Sequence, residues 1–287
     1  MPDWSIASPE VVVICTRNRP DDLTITLRSV VDQDGSDERA VLVVDGSDER
    51  EASRTAQVVE SLDGQYPVQY YRYPTRPAQT RQRNAAVELL PDSIDVVHFI
   101  DDDVLLRPGY FDELAGALAQ NRALLGVGGI IVEPQASDSS PSSSWLKRFF
   151  LLSARTPSRV LPSGHTTPPR PTESEIHPAE WLSTCSSSYR LSALQCHRFD
   201  ANVEGPSPTL HDLDFSYRVA QEGPLAIVST AKCVHRRSQN ARRDIFSSNR
   251  ELVVRRYWFV TKNMGGPIHR LAFWWGVIGQ FLARVFS

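Results

Sequence analysis

The sequence predicts an α/β fold built on a mostly parallel, Rossmann-like sheet flanked by helices. Short apolar runs rich in β-branched residues alternate with helix-period segments through the first hundred residues. Polar or acidic residues stand at the C-terminal ends of those runs, where ligands bind in open parallel sheets. A chain of 287 residues, 41% hydrophobic and 23% charged, is also long enough for a well-buried core.

The elements follow in order. "VVVIC" (11–15) reads as a buried strand, and "DDLTITLRSVVDQ" (21–33) as a helix with an acidic start. "AVLVVD" (40–45) repeats the strand signal, with a helix expected over about 48–62. "VQYYRY" (68–73) alternates as a strand does, "TRQRNAAVELL" (80–90) reads as a helix, and "VVHFI" (96–100) is a fourth strand. Right-handed crossovers at this rhythm should bring Cys15, Thr16, Asp45 and Asp101 to Asp103 to one crevice. Residues 134–180 are rich in Ser, Pro and Thr, broken by "WLKRFFLL", and read as a mobile loop region. Beyond 181 the pattern is mixed, with a strand expected at "LAIVSTAKCVH" (225–235).

The net charge of −3 gives no general attraction to nucleic acid. From Lys232 onward, however, only Asp244 and Glu251 oppose many Lys and Arg residues, so this zone needs an anionic or interfacial explanation. Four scattered cysteines form no CxxC pair, and the opening "MPDWSIASPE" lacks a basic patch with an apolar run, so a cytoplasmic protein is expected. The uncharged run 271–283, flanked by Arg270 and Arg284, is shorter than the about 18 apolar residues a spanning helix needs. Its aromatics suit a helix over 268–286 lying on the inner face of a membrane, and equally a helix that closes the core or forms a homodimer contact.

Three consecutive aspartates after a buried strand are the sharpest chemical signal. Adjacent like charges repel unless solvent, a partner or a cation offsets them. Carboxylates clustered at a strand end suit Mg²⁺ or Mn²⁺ bound together with phosphate oxygens, and they also suit a solvated turn that starts a helix near Gly109.

Seven fragments, in order, resemble family 2 glycosyltransferases of GT-A fold. They are "VVVICTRNRPDD", "VLVVDGSDE", "TRQRNAAV", "FIDDDV", "RFDANVEG", "HDLDFSYRV" and "AKCVHRRS". The resemblance implies a nucleotide-sugar-binding half over 1–133, the loop region over 134–180, an acceptor-side and catalytic half over 181–244, and a helical tail over 245–287. It implies a donor held as a UDP, dTDP or GDP sugar, with Mn²⁺ or Mg²⁺ on its diphosphate. Asp103 would be the leading metal ligand, joined by Asp101 and His235, with Asp101 and Asp102 also near the ribose and metal waters. Cys15, Thr16, Arg17 and Asn18 would line the base pocket, and Asp45 would accept from base or ribose. Arg81 and Arg83 are candidates for the diphosphate. Asp212 matches the general base, with Asp214 its rival; the latter reads better as an i, i+4 ion pair with Arg218. Two positions depart from the family pattern: Gly46, where a second aspartate is usual, and His211, where glutamate is usual.

The implied reaction is inverting transfer of a hexosyl or deoxyhexosyl group to a hydroxyl of a glycan, a lipid-linked acceptor or a small molecule, as in polysaccharide biosynthesis. Two other readings compete. A sugar nucleotidyltransferase should carry a glycine-rich loop after the first strand, and "CTRNRPDD" contains no glycine. A catalytically silent sugar-nucleotide-binding or membrane-scaffold protein would accommodate His211.

Overall fold

A computed structural model describes residues 9–33, 39–62, 66–74, 78–132, 144–203, 210–236 and 245–285. β1 (Glu10–Thr16) lies inside the sheet, and Val11 to Ile14 are fully buried on both of its faces, as a central parallel strand requires. α1 (Pro20–Val31) begins with a proline at its first position and Asp21 and Asp22 in its first turn, both favourable at a helix N-terminus. It packs Leu23, Leu27 and Val30 onto the sheet. β2 (Ala40–Asp45), α2 (Glu49–Glu60), β3 (Val68–Arg72), α3 (Gln79–Leu89) and β4 (Val96–Asp101) complete the alternation.

Then come β5 (Val104–Leu106), α4 (Tyr110–Gln120), β6 (Gly126–Ile131), α5 (Ser144–Phe149), β7 (Ile176–Ala179), β8 (Ser186–Arg190) and α6 (Leu191–Cys196). α7 (His211–Glu222), β9 (Leu225–His235), α8 (Ile245–Phe259), a π-helical turn (Val260–Met264) and α9 (Gly266–Val285) follow.

The described strands form one sheet in the order β3-β2-β1-β4-β8-β6-β9-β5, with β7 also paired to β9. β1 to β4 run parallel. β8 runs antiparallel to both β4 and β6, and β6 and β9 return to the original direction. Side chains alternate between two buried layers. Val12 and Ile14 meet Leu23, Leu27 and Leu114 on one face, while Val11 and Val13 meet Ala86, Phe99 and Phe215 on the other. β6 needs its glycines for close approach: a Cβ on Gly126 would stand 2.6 Å from the Tyr189 ring on β8.

Residues 133–143, part of the Ser/Pro-rich excursion, lie outside the described residues. The remainder of that excursion carries α5, a β-bridge between Val160 and Thr166, and β7. "SSSYR" (186–190) forms β8, with Ser186 to Ser188 buried between β4 and β6.

Candidate active site

The carboxyl ends of β1, β2 and β4 meet as parallel topology requires. Gln82 of α3 fixes two of them, donating to the carbonyls of Thr16 at 3.0 Å and Val44 at 2.9 Å. Asn18 sits at φ 57°, a left-handed conformation asparagine tolerates, and joins the first loop to the second. Its amide donates to Ser47 Oγ at 2.7 Å, and its side chain exchanges hydrogen bonds with Asp48 at 2.8 and 2.9 Å. Cys15 is partly exposed and Arg17 and Asn18 are exposed, so this edge is open to a ligand. Burial pushes the Cys15 thiol up to about 12, so the group supplies shape and no thiolate.

Asp45 is turned inward. It is fully buried, and its carboxylate accepts from the Ser47 amide at 2.7 Å and from the Tyr70 hydroxyl at 2.8 Å. Both of its oxygens are engaged in shaping the loop.

The aspartate triplet divides its contacts three ways. Asp101 accepts from Arg83 Nη2 at 2.8 Å and from Gln79 Nε2 at 3.2 Å. Asp102 is buried and accepts from Thr16 Oγ1 at 2.7 Å and from Arg19 at 3.1 Å. Asp103 is buried too, with Arg19 at 3.4 Å and His235 Nε2 at 2.9 Å from its two oxygens. His235 reaches that point because β9 pairs with β5 in a register that sets it opposite Val104. Burial pushes the Asp102 carboxyl up to about 7; Arg19 and Thr16 oppose the rise, and Asp101 and Asp103 add to it.

Asp101, Asp103 and His235 each offer a ligand atom, all within 4.8 Å of one another. Two carboxylates and one imidazole, partly shielded from solvent, fit a divalent cation. Arg19 lies in the turn ahead of α1, and its role was missed in the sequence because nothing in "TRNRP" distinguishes it from Arg17.

Asp212 opens α7 next to a strained residue: Leu210 adopts φ 67°, rare for a branched side chain. Asp212 accepts from the Leu213 amide at 2.8 Å and from the Ser183 hydroxyl at 3.4 Å. Burial raises its carboxyl above the ordinary range, while the Leu213 amide and Arg83 pull it back. Arg83 is itself buried against Phe99 and Phe199, and its second terminal nitrogen, Nη1, stands 2.6 Å from His211 Nε2. A guanidinium only donates, so that imidazole nitrogen must accept. One side chain thereby joins the strand carrying the triplet to the helix carrying Asp212.

Arg83 is thus buried and engaged inside the protein, whereas Arg81 remains partly exposed on α3. Asp214 is fully buried and held by Arg218 at 3.1 Å, Lys262 at 2.9 Å and Asn263 at 2.9 Å. These contacts tie α7 to the π-helical turn. Asn84, inside "RNAAV", brackets Phe199 with bonds of 2.8 and 2.9 Å to its carbonyl and amide. That lets Phe199 stack on Phe215 of α7 with centroids 4.0 Å apart.

A helix-flanked, mostly parallel sheet with an acidic cluster at its carboxyl edge is the architecture of a GT-A glycosyltransferase. The sequence model of glycosyl transferase family 2 matches residues 11–168, more than half of the chain, and the chain belongs to that family. Residues 1–349 of TarS from S. aureus superpose with a TM-score of 0.59 at 15% identity, covering 95% of this chain and 71% of that one. The mannosyltransferase PcManGT from Pyrobaculum calidifontis, solved with GDP-Man and Mn²⁺, gives 0.60 at 14% identity over 99% and 79% of the two chains. GalNAc-T7, solved with UDP, GalNAc and Mn²⁺, gives 0.56 at 13% identity over 81% and 44%. At such identities these structures show a shared fold. A comparison with curated protein sequences finds no match.

Proposed function

We propose that this glycosyltransferase is metal-dependent and inverting, and that it moves a hexosyl or deoxyhexosyl group from a nucleoside-diphosphate sugar to a hydroxyl acceptor. The observation that carries the reading is Arg83, which holds Asp101 at 2.8 Å and His211 at 2.6 Å and so links the strand end bearing the acid cluster to the first turn of the helix that carries Asp212.

Asp101, Asp103 and His235 are the residues to hold Mn²⁺ or Mg²⁺. Such a cation supplies charge to offset the departing diphosphate. Cys15, Thr16, Arg17 and Asn18 form the edge against which the base rests, and Asp45 sets that edge through Ser47. Arg81, partly exposed on α3, is the residue assigned to the diphosphate. Asp212 takes the proton from the acceptor hydroxyl, and its raised carboxyl suits that task better than an ordinary aspartate. Ser183 orients the carboxylate. With one base and direct displacement, the anomeric configuration inverts.

Two structures of like fold support a nucleotide-sugar donor, since PcManGT was solved with GDP-Man and TarS with UDP-GlcNAc. The test is release of nucleoside diphosphate from UDP-, dTDP- and GDP-sugars with Mn²⁺ or Mg²⁺. Release with one donor, dependent on metal, is the expected result. Pyrophosphate chemistry would instead indicate a nucleotidyltransferase. Tight metal-dependent nucleotide binding without turnover would indicate a silent module.

A further inference from the structure

α9 buries Phe273 and packs Val277 against Leu213, Phe259 and Val260, and small and polar residues make up the rest of its inward face. A Cβ on Gly279 would stand 2.3 Å from Phe150, and one on Gly276 would stand 3.3 Å from Ser163. Gln280 also points inward, its Nε2 lying 3.0 Å from Nε2 of His165. Ile268, Leu271, Trp274, Ile278 and Phe281 face outward, and Ile268 and Leu271 keep 74% and 70% of their surface. By helical geometry these side chains share one arc of about 140°.

Two more helices extend that surface. α5 adds Trp145 and Phe149, both exposed, and the indole of Trp275 donates to the Phe149 carbonyl at 2.9 Å. α8 adds Val254 and Tyr257, whose ring lies 6.0 Å from Trp274. Exposed apolar surface joined across three helices marks a binding surface.

Charge selects the occupant. Arg148, Arg250 and Arg270 lie on these helices beside the apolar residues and keep solvent access. The acid on the three helices, Glu251, is already paired with Arg255 at 2.8 Å. Two apposed copies would bring arginines together with no carboxylate between them. An anionic leaflet would meet both features, with tryptophan and tyrosine at headgroup depth.

We propose that α5, α8 and α9 together form a docking surface for an anionic lipid bilayer, on which the protein lies without crossing. No helix among the described residues is long and apolar enough to span. Through Lys262 and Asn263 on Asp214, this surface is fastened to the helix carrying Asp212.

The experiment is flotation of the full chain with vesicles of phosphatidylcholine, with and without phosphatidylglycerol. It needs no donor or acceptor, so it is decided separately from the transfer assay. The wild-type chain should float with the mixed vesicles, less with the neutral ones, and less at high salt. Leu271→Ser with Phe281→Ser should lower partitioning at least about tenfold with an unchanged circular dichroism spectrum. Arg148→Glu, Arg250→Glu and Arg270→Glu together should lower binding to the mixed vesicles to the neutral level. A blue shift of wild-type tryptophan emission on mixed vesicles gives a readout that needs no variant. The proposal is overturned if the wild type stays unbound on both compositions, or if the serine variant floats as well as the wild type. It is overturned equally by a wild-type dimer that the serine variant dissociates while neither form touches vesicles.

Discussion

Nη1 of Arg83 lies 2.6 Å from Nε2 of His211, inside a protein whose family usually carries glutamate at that helix start. Glutamate would pair with the guanidinium as an anion; the imidazole accepts from it without adding charge. The opening of α7 is therefore less negative, and Arg83 keeps its full charge available to Asp101 and Asp212.

Arg83 should resist conservative exchange. Lysine carries a single ammonium and cannot reach Asp101 and His211 from two nitrogens at once. Arg83→Lys should lower both stability and metal-dependent donor binding, and Arg83→Met should cost about 3 kcal/mol or more by leaving Asp101 without its buried partner. Thermal unfolding with and without metal checks both. A lysine variant indistinguishable from wild type would remove Arg83 from the account.

Asp214 should behave as a structural hub. Asp214→Asn leaves Lys262 and Arg218 short of a partner and should cost about 3 kcal/mol in stability while transfer persists at low temperature. Denaturant unfolding and turnover separate the two effects. Unchanged unfolding with abolished transfer would move the base role from Asp212 to Asp214.

The rate profile should carry the mark of a base whose carboxyl is raised. Burial raises the Asp212 carboxyl, so the ionised base is lost on acidification at a pH above the ordinary carboxylate value of 3.8. At saturating metal and donor, the acid limb of kcat should lie above that value. A limb at or below it would contradict the raised carboxyl of Asp212.

Glu10 should contribute acid-sensitive stability. Burial alone would raise its carboxyl, but His98 and Arg39 outweigh burial and hold it down to about 2, from 4.5 when unfolded. Because the folded value is the lower one, the stabilisation, about 3 kcal/mol, is fully present above pH 4.5 and is lost as pH falls toward 2. Glu10→Gln should therefore be less stable than wild type near neutrality, with the gap closing across that interval. A gap that stays constant with pH would refute the linkage.

Much of this was legible in the sequence, and the exceptions have physical causes. β1, β2 and β4 announce themselves because strands buried on both faces need runs rich in β-branched residues, and β9 spans the residues expected of it. β6 and β8 do not. Gly126 to Gly129 and Ser186 to Ser188 have weak intrinsic strand preference and become strands because their neighbours demand small residues. The serines also need local partners, as His98 provides for Ser188 at 2.6 Å. At the site, the triplet stood out from its place at a strand end, and His235 entered through the family resemblance alone. The inward turn of Asp45 and Arg83 could not be read, since the partners Tyr70 and His211 are set by topology. The basic zone after Lys232 is similar: Arg236 pairs with Asp22, Lys262 with Asp200 and Asp214, and Arg256 is buried.

The central claim is a division of labour between Asp103, which holds the cation, and Asp212, which takes the proton. The most direct measurement is Mn²⁺ binding in the presence of nucleoside diphosphate, followed by water-proton relaxation, alongside transfer rates for Asp103→Ala and Asp212→Asn. Asp103→Ala should lose metal-dependent nucleotide binding. Asp212→Asn should bind as the wild type does while kcat falls about 10²–10⁴-fold. Full metal-dependent binding by Asp103→Ala, or near-normal turnover by Asp212→Asn, would contradict it.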